Sequence, residues 1–172
     1  MPDYRCSHCG QVHAGPAFSH EIEAPDRWWQ ISEFKRGEGE LDEELCVVDN
    51  REFFIKGNLW ISVRDGEQEF NWTVWASISR EDFERSVELW DFAGREMEPA
   101  YPGRLANELA LYPDSLGLEV KVHTLSVGER PMVALQPTEH PLGLEQRNGV
   151  RLARVREIGE FVLHAEDRSK VG

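Results

Sequence analysis

The chain has 172 residues, 40% hydrophobic and 30% charged, a balance that builds a folded core and reads as globular, not disordered. Its 32 acidic and 19 basic residues leave a net charge of -13, which opposes nucleic acid and anionic membranes, since both must be met with Lys and Arg. No apolar run approaches the roughly 20 residues a membrane helix needs.

The N-terminus, MPDYRCSHCG, has no basic patch followed by an apolar stretch, so no secretory signal is expected and the cytoplasm is the expected location. In a reducing compartment, three cysteines point to metal binding or plain burial before a disulfide framework.

The first motif is CSHCGQVH, residues 6–13. Two cysteines separated by two residues reach one ion from a single tight turn, and Gly10 lets that turn bend back because it tolerates positive φ. Zinc takes four thiolate or imidazole ligands in a tetrahedron. Cys6, Cys9 and His13 supply three, and Cys46, brought in by the sheet, is the expected fourth. His20 and His8 are the alternatives, with His8 the less suited because it would crowd the turn. A redox dithiol would open a helix after a strand, and QVHAGP does not continue a helix. A site with four protein ligands is closed and leaves no position for a catalytic water.

Residues 24–34, APDRWWQISEF, read as a short helix that buries Trp28, Ile31 and, less clearly, Trp29. The polar, acidic stretch 35–44 reads as a connector. Residues 46–63 read as a strand, a turn at Asp49-Asn50 and a longer strand with a bulge at Gly57. Asp65-Gly66 signals a turn. In residues 71–79, Trp72, Val74, Ala76 and Ile78 share one face, and Thr73, Trp75 and Ser77 the other. A hairpin between residues 59–63 and 71–78 follows. Either a helix covers the Trp75 face or that indole is offered to a partner, and core is the favoured reading.

Ser79 and Asp82 form a capping box with Ile78 and Phe83 as its staple, and Phe83, Val87 and Trp90 continue one apolar stripe to about Asp91. Residues 118–126 alternate with Leu118, Val120, Val122 and Thr124 inward, and Gly128 turns the chain into residues 130–137, a second hairpin. Thr138 is a candidate cap for a helix with Pro141 near its first turn. The last helix, residues 150–168, carries Leu152, Val155, Ile158 and Val162 on one side. Helices flank antiparallel hairpins here and do not alternate with single strands. That predicts an α+β fold, an antiparallel sheet flanked by helices with an N-terminal zinc knuckle. One domain spanning 1–172 is expected, with residues 1–50 as the knuckle-bearing segment packed on the main body.

Beyond the knuckle, His123, Arg130, Glu139, His140 and Gln146 are the candidate ligand or partner site. A His–carboxylate pair there could do acid–base work as a small enzyme, but Thr138 to Pro141 also reads as a helix start and Glu145 to Arg147 as a solvated face. Arg154 and Arg156 with Glu157 and Glu160 read as a charged helix surface. There is no phosphate-cradling glycine loop and no GxSxG elbow. The strongly acidic balance favours a binding module with a basic protein partner, of a regulatory or immunity type, and a structural zinc as its cofactor.

CSHCGQVH, LCVVD, FFIKGNLWISV, WTVWASIS, YPGRLANEL, YPDSLGLEVKVHT and RPMVALQPTEHPLGLEQRNGV, in this order, resemble a bacterial family of uncharacterised proteins, domain of unknown function 2199. The resemblance runs from Cys6 to about Ile158. It implies a small cytosolic bacterial protein of one domain and no particular activity. Its cysteine-bearing segments point to Cys6, Cys9 and Cys46, with His13 beside them.

Overall fold

The computed structural model describes residues 3–165. It begins with an antiparallel ribbon of β1 (Tyr4–Arg5) and β2 (Val12–His13). Next come β3 (Ser19–Glu21) and two short helices, α1 (Asp26–Gln30) and α2 (Glu33–Glu38). Where the sequence reads one helix, Ile31 adopts extended backbone and breaks it. Ser32 then restarts the helix by accepting a hydrogen bond from the Lys35 amide at 3.3 Å. Trp28 and Ile31 are buried and Trp29 is exposed. The stretch read as a connector supplies the end of α2 and an edge strand, β4 (Glu40–Leu41), which pairs with β5 (Leu45–Val48).

Asp49 and Asn50, both at φ 52°, turn β5 into β6 (Glu52–Ile61); short polar side chains tolerate this left-handed pair. β6 runs antiparallel to β7 (Phe70–Ile78), from Phe53 opposite Ile78 to Ile61 opposite Phe70, the expected hairpin. Ser79 accepts the Asp82 amide at 3.1 Å and caps α3 (Arg80–Glu88). The apolar stripe differs from the expected one. Phe83, Ser86 and Leu89 are buried, while Val87 and Trp90 are exposed. The helix ends at Glu88, so Trp90 lies in the following turn, off the helical period that the stripe assumed.

β8 (Tyr101–Leu105), β9 (Glu119–His123) and β10 (Met132–Leu135) continue an antiparallel meander from β7. Five strands is an odd number, so β6 and β10 run the same way, and the meander can close only through a parallel pair. It does so at Met132 opposite Asn58, with the Asn58 amide donating to the Pro131 carbonyl at 2.8 Å. β6, β7, β8, β9 and β10 thus form a closed ring, with β3 paired outside on β7, and β5 and β4 outside on β6. Gly57, expected as a bulge, stands in unbroken register opposite Val74. It marks a close approach: a Cβ there would lie 2.6 Å from Val133 Cγ2 and 2.9 Å from the Pro131 oxygen.

Leu59, Phe70, Val74, Val120, Val122 and Val133 are fully buried in the main core. α4 (Pro141–Asn148) and α5 (Leu152–Leu163) extend it through Leu142, Val155 and Ile158. Asp65 caps α5 from a distance, its Oδ1 accepting the Leu152 amide at 2.8 Å. The last helix was expected through Arg168; residues 166–168 lie outside the described residues. A second core sits on the outer face of the sheet, where Ala24, Trp28, Ile31, Cys46, Phe54 and Trp75 pack together. The covering segment is sewn to β7 by Asn107, which accepts the Trp75 amide at 2.8 Å and donates to the Ala24 carbonyl at 3.0 Å. Trp75 itself donates its indole N–H to the Ile22 carbonyl at 2.9 Å. Burying about 200 Å² of indole contributes roughly 5 kcal/mol at ~25 cal/mol per Å², enough to recruit α1 to this face. No helix among the described residues is long and apolar enough to cross a membrane.

Candidate metal centre

The knuckle is built by its backbone. The Gly10 amide donates to the Cys6 carbonyl at 2.9 Å, the Cys6 amide donates to the Gln11 carbonyl at 2.8 Å, and Gly10 takes the positive φ of 72° that the reversal needs. Arg5 clasps the turn from outside, donating to the Gly10 carbonyl at 2.8 Å. β1 and β2 then place Tyr4 opposite His13, so His13 returns to the side of the cysteines.

The fourth donor comes from the other end of the described chain. His164, at the C-terminal cap of α5, lies with its Nε2 3.3 Å from Cys6 Sγ, and His13 Nε2 lies 3.2 Å from Cys9 Sγ. One ligand atom from each of Cys6, Cys9, His13 and His164 falls within 4.8 Å of all the others. A zinc tetrahedron with Zn–S of ~2.3 Å and Zn–N of ~2.0 Å has edges of about 3.3–3.8 Å, so this donor set has the size and chemistry to hold a metal ion. Cys6 and His164 are buried, while Cys9 is exposed. Burial pushes the Cys6 thiol up, but hydrogen bonds from the Cys9 and His8 amides and with His164 and Cys9 outweigh it and hold it below the ordinary thiol range. That favours the thiolate a metal needs.

α5 grips the knuckle along one stripe with four-residue spacing. Arg156 stacks over Tyr4 at 5.9 Å, Glu160 accepts the Ser7 amide at 3.1 Å and the Ser7 hydroxyl, and His164 reaches Cys6. The Ser7 hydrogen bonds hold the Glu160 carboxyl below the usual range. This corrects the reading of Arg156 and Glu160 as a charged solvent face; of that set, Arg154 does pair with Glu157, at 3.0 Å.

Cys46 is not part of the cluster. It shares one face of β5 with Val48, both fully buried, and sits in the second core with Trp28 and Phe54. Burial, with Asp42 and Glu52 nearby, pushes its thiol up to about 12, which favours the protonated form. His164 takes the place expected of it. His8 lies beside the cluster, its ring 4.3 Å from that of His164.

His20 is elsewhere, in β3, with its ring 5.3 Å from Trp72 and its Nε2 buried without a hydrogen-bond partner among the described residues. Burial lowers its pKa. The unfolded chain therefore takes up a proton on this imidazole before the folded one does, and stability falls as pH drops below the unfolded value of about 6.5. His20→Leu is expected to flatten the fall in melting temperature between about pH 7 and pH 5.5. An unchanged slope would show that His20 does not titrate this way.

The second candidate site does not assemble. His140 caps α4: its Nδ1 accepts the Leu142 amide at 3.1 Å and its Nε2 donates to the Pro113 carbonyl at 2.8 Å. The cap was expected at Thr138, whose hydroxyl accepts the His140 amide one step earlier. Arg130 is bound to Glu44 through Nε at 2.9 Å and Nη2 at 2.5 Å. Gln146 holds β10, accepting the Leu135 amide at 2.8 Å and donating to the Val133 carbonyl at 3.1 Å. His123 ends β9 opposite Met132, and Glu139 is exposed. None of these five bonds to another, so no nucleophile–base pair forms among them.

No curated protein and no solved structure matches the chain. Of the four clustered residues, Cys6, Cys9 and His13 lie inside the span matched by a protein family and His164 lies beyond it. That family is described as "Uncharacterized protein conserved in bacteria (DUF2199)"; it matches residues 5–150, from the knuckle through the whole closed ring, and the chain belongs to it.

Proposed function

We propose that Cys6, Cys9, His13 and His164 hold one structural zinc ion, and that the fold so fastened is a cytoplasmic interaction module with a basic protein partner. The observation that carries the metal is the convergence of Cys6 and His164, which are 158 positions apart, with Cys9 and His13 in one tetrahedral-sized cluster. Two thiolates and two imidazoles suit zinc, and four protein donors leave the ion closed to water. Such an ion fastens the knuckle to α5 and does no chemistry. The partner reading rests on the charge of -13, which speeds association with a basic surface and repels nucleic acid. Of the two histidines expected of an enzyme, His140 caps α4 and His123 ends β9, and neither bonds to Glu139.

Metal analysis of protein purified under reducing conditions without chelator is expected to find about one zinc per chain. Its absence overturns the metal assignment. A strong chelator is expected to lower the melting temperature while leaving the ring of β6–β10 folded, because Val74, Val120 and Val133 pack independently of the ion.

A further inference from the structure

The stretch from Arg80 to Glu98 carries seven acidic residues against three basic ones. All three bases are engaged. Arg80 donates to the Asn50 carbonyl at 2.5 Å and stacks over Phe53. Arg85 bridges Glu98 at 2.9 Å and Glu88 at 3.5 Å. Arg95 is buried and donates to the carbonyls of Trp90, Leu125, Ser126 and Glu129. Glu81, Glu84, Asp91 and Glu96 are exposed and Asp82 is half-buried, and none of the five has a cationic partner among the described residues. The charge of this face is a local excess of anions.

Beside it lies a cleft of about 390 Å³ between the end of α3 and the β9–β10 connection. Its floor is apolar and buried, formed by Ile55, Leu89, Tyr101 and Pro131. Its lining also includes two open apolar residues, Trp90 37% and Val127 44% exposed, with Asp91, Glu129 and the Arg130–Glu44 ion pair beside them. Val87, three residues before Trp90, and Phe92, two after it, are 46% and 61% exposed. Tyr101 also lines a neighbouring trough, whose other walls include Glu81, Asp82, Glu84, Arg85 and Glu88, so the acids of α3 lie next to the cleft. Arg95 ties the two sides of the cleft together, since its carbonyl partners lie in the turn after α3 and in the loop after β9. The cleft is thus formed before anything binds, which spares a ligand the ordering cost.

We propose that this cleft seats a bulky apolar side chain from a basic segment of a partner protein, with Lys or Arg residues beside that anchor lying along the acids of α3. This rests on the interaction-module reading and gives it a place. An apolar anchor in a preformed pocket, with charge around it, is the arrangement that concentrates binding energy in few residues. A second copy of this chain is disfavoured as occupant by its own charge of -13, and an anionic membrane by the same repulsion.

The test uses the zinc-loaded full chain and fluorescein-labelled synthetic peptides, read by anisotropy. Each peptide has one central Phe, Trp or Leu flanked by lysines; controls replace the anchor by Ala or the lysines by Gln. Basic anchored peptides are expected to bind, and raising salt from about 50 to about 300 mM is expected to weaken them about tenfold. Trp90→Ala, and separately Glu81→Lys with Glu84→Lys, should each weaken binding about tenfold with zinc content and circular dichroism unchanged. All these positions are exposed, so the variants are expected to fold. Basic peptides that bind equally well to both variants overturn the cleft and leave the interaction reading standing. Gln control peptides that bind as tightly as the lysine ones, without salt dependence, overturn the basic partner. If no anchored peptide binds, both readings fail, while the zinc assignment is judged separately by metal content.

Discussion

His164→Ala is expected to purify with well under one zinc per chain and to lose about 3–5 kcal/mol of stability, a drop of roughly 10 °C in melting temperature. The magnitude follows from the length of chain that the cluster closes. Cys6 and His164 are 158 positions apart, and a clip across a loop of that size constrains the unfolded chain by about 4–5 kcal/mol on chain-entropy grounds. Removing His164 also removes its ring contact with His8, a loss that needs no metal. Chelator separates the two effects. It should lower the wild-type melting temperature and leave His164→Ala nearly unmoved, because that variant has no ion left to lose. Cys46→Ser is the matched control. It puts a hydroxyl into the second core and costs about 1–3 kcal/mol, yet it should keep its full zinc because Cys46 is remote from the cluster. Stability alone therefore cannot tell these variants apart, and metal content can. Full zinc in His164→Ala would remove His164 from the site, and lost zinc in Cys46→Ser would restore Cys46 to it.

The half of this site that lies in one turn was legible from the sequence, because Cys6, Cys9, Gly10 and His13 act through local backbone geometry. The distal member of the cluster was not. Cys46 was expected there as a thiolate brought in by the sheet, and the sheet carries it into the second core instead. Strand alternation did carry a warning: in LCVV, residues 45–48, Cys46 and Val48 fall on the same face, and Val48 belongs in a core. His164 left a fainter trace. Arg156, Glu160 and His164 recur every four residues beside the apolar stripe of Val155 and Ile158, which marks a second packed face on α5. Read by itself, a run of charges and one histidine looks the same as a solvated surface, and only the position of the knuckle distinguishes them.

The hairpins were legible for the same local reason. Alternation in β7 and β9 showed which side chains turn inward, and Asp49-Asn50 and Gly128 marked turns by residues that tolerate positive φ. Closure of the ring was hidden. The β6–β10 seam is a single parallel pairing between segments far apart in sequence, and no periodicity in either strand records its partner. α3 shows the opposite error. Its start was set by Ser79 as expected, but its stripe depended on where the helix ended, and that end decided that Trp90 stays exposed beside the cleft.

Gly57→Ala is expected to destabilise the protein by about 2–3 kcal/mol, a fall of roughly 5–10 °C in melting temperature. Two effects compete. Alanine restricts the unfolded chain and suits a strand better than glycine, which contributes about 0.4–1 kcal/mol in its favour. Against that, its Cβ would sit 2.6 Å from Val133 Cγ2 and 2.9 Å from the Pro131 oxygen. The side-chain clash can be relieved by a shift of Val133, but the Pro131 oxygen is backbone, and it is the acceptor of the Asn58 amide that closes the ring. Relief there means prising β10 from β6, which strains a seam made by one paired position. The strain therefore outweighs the entropy gain. Adding Val133→Ala to Gly57→Ala should recover only part of the loss, since it clears the methyl and leaves the carbonyl, and it opens a cavity of its own in the core. Chemical denaturation of the single and double variants measures both terms. A neutral Gly57→Ala would mean that β10 does not approach β6 this closely, and the ring would be open at that seam.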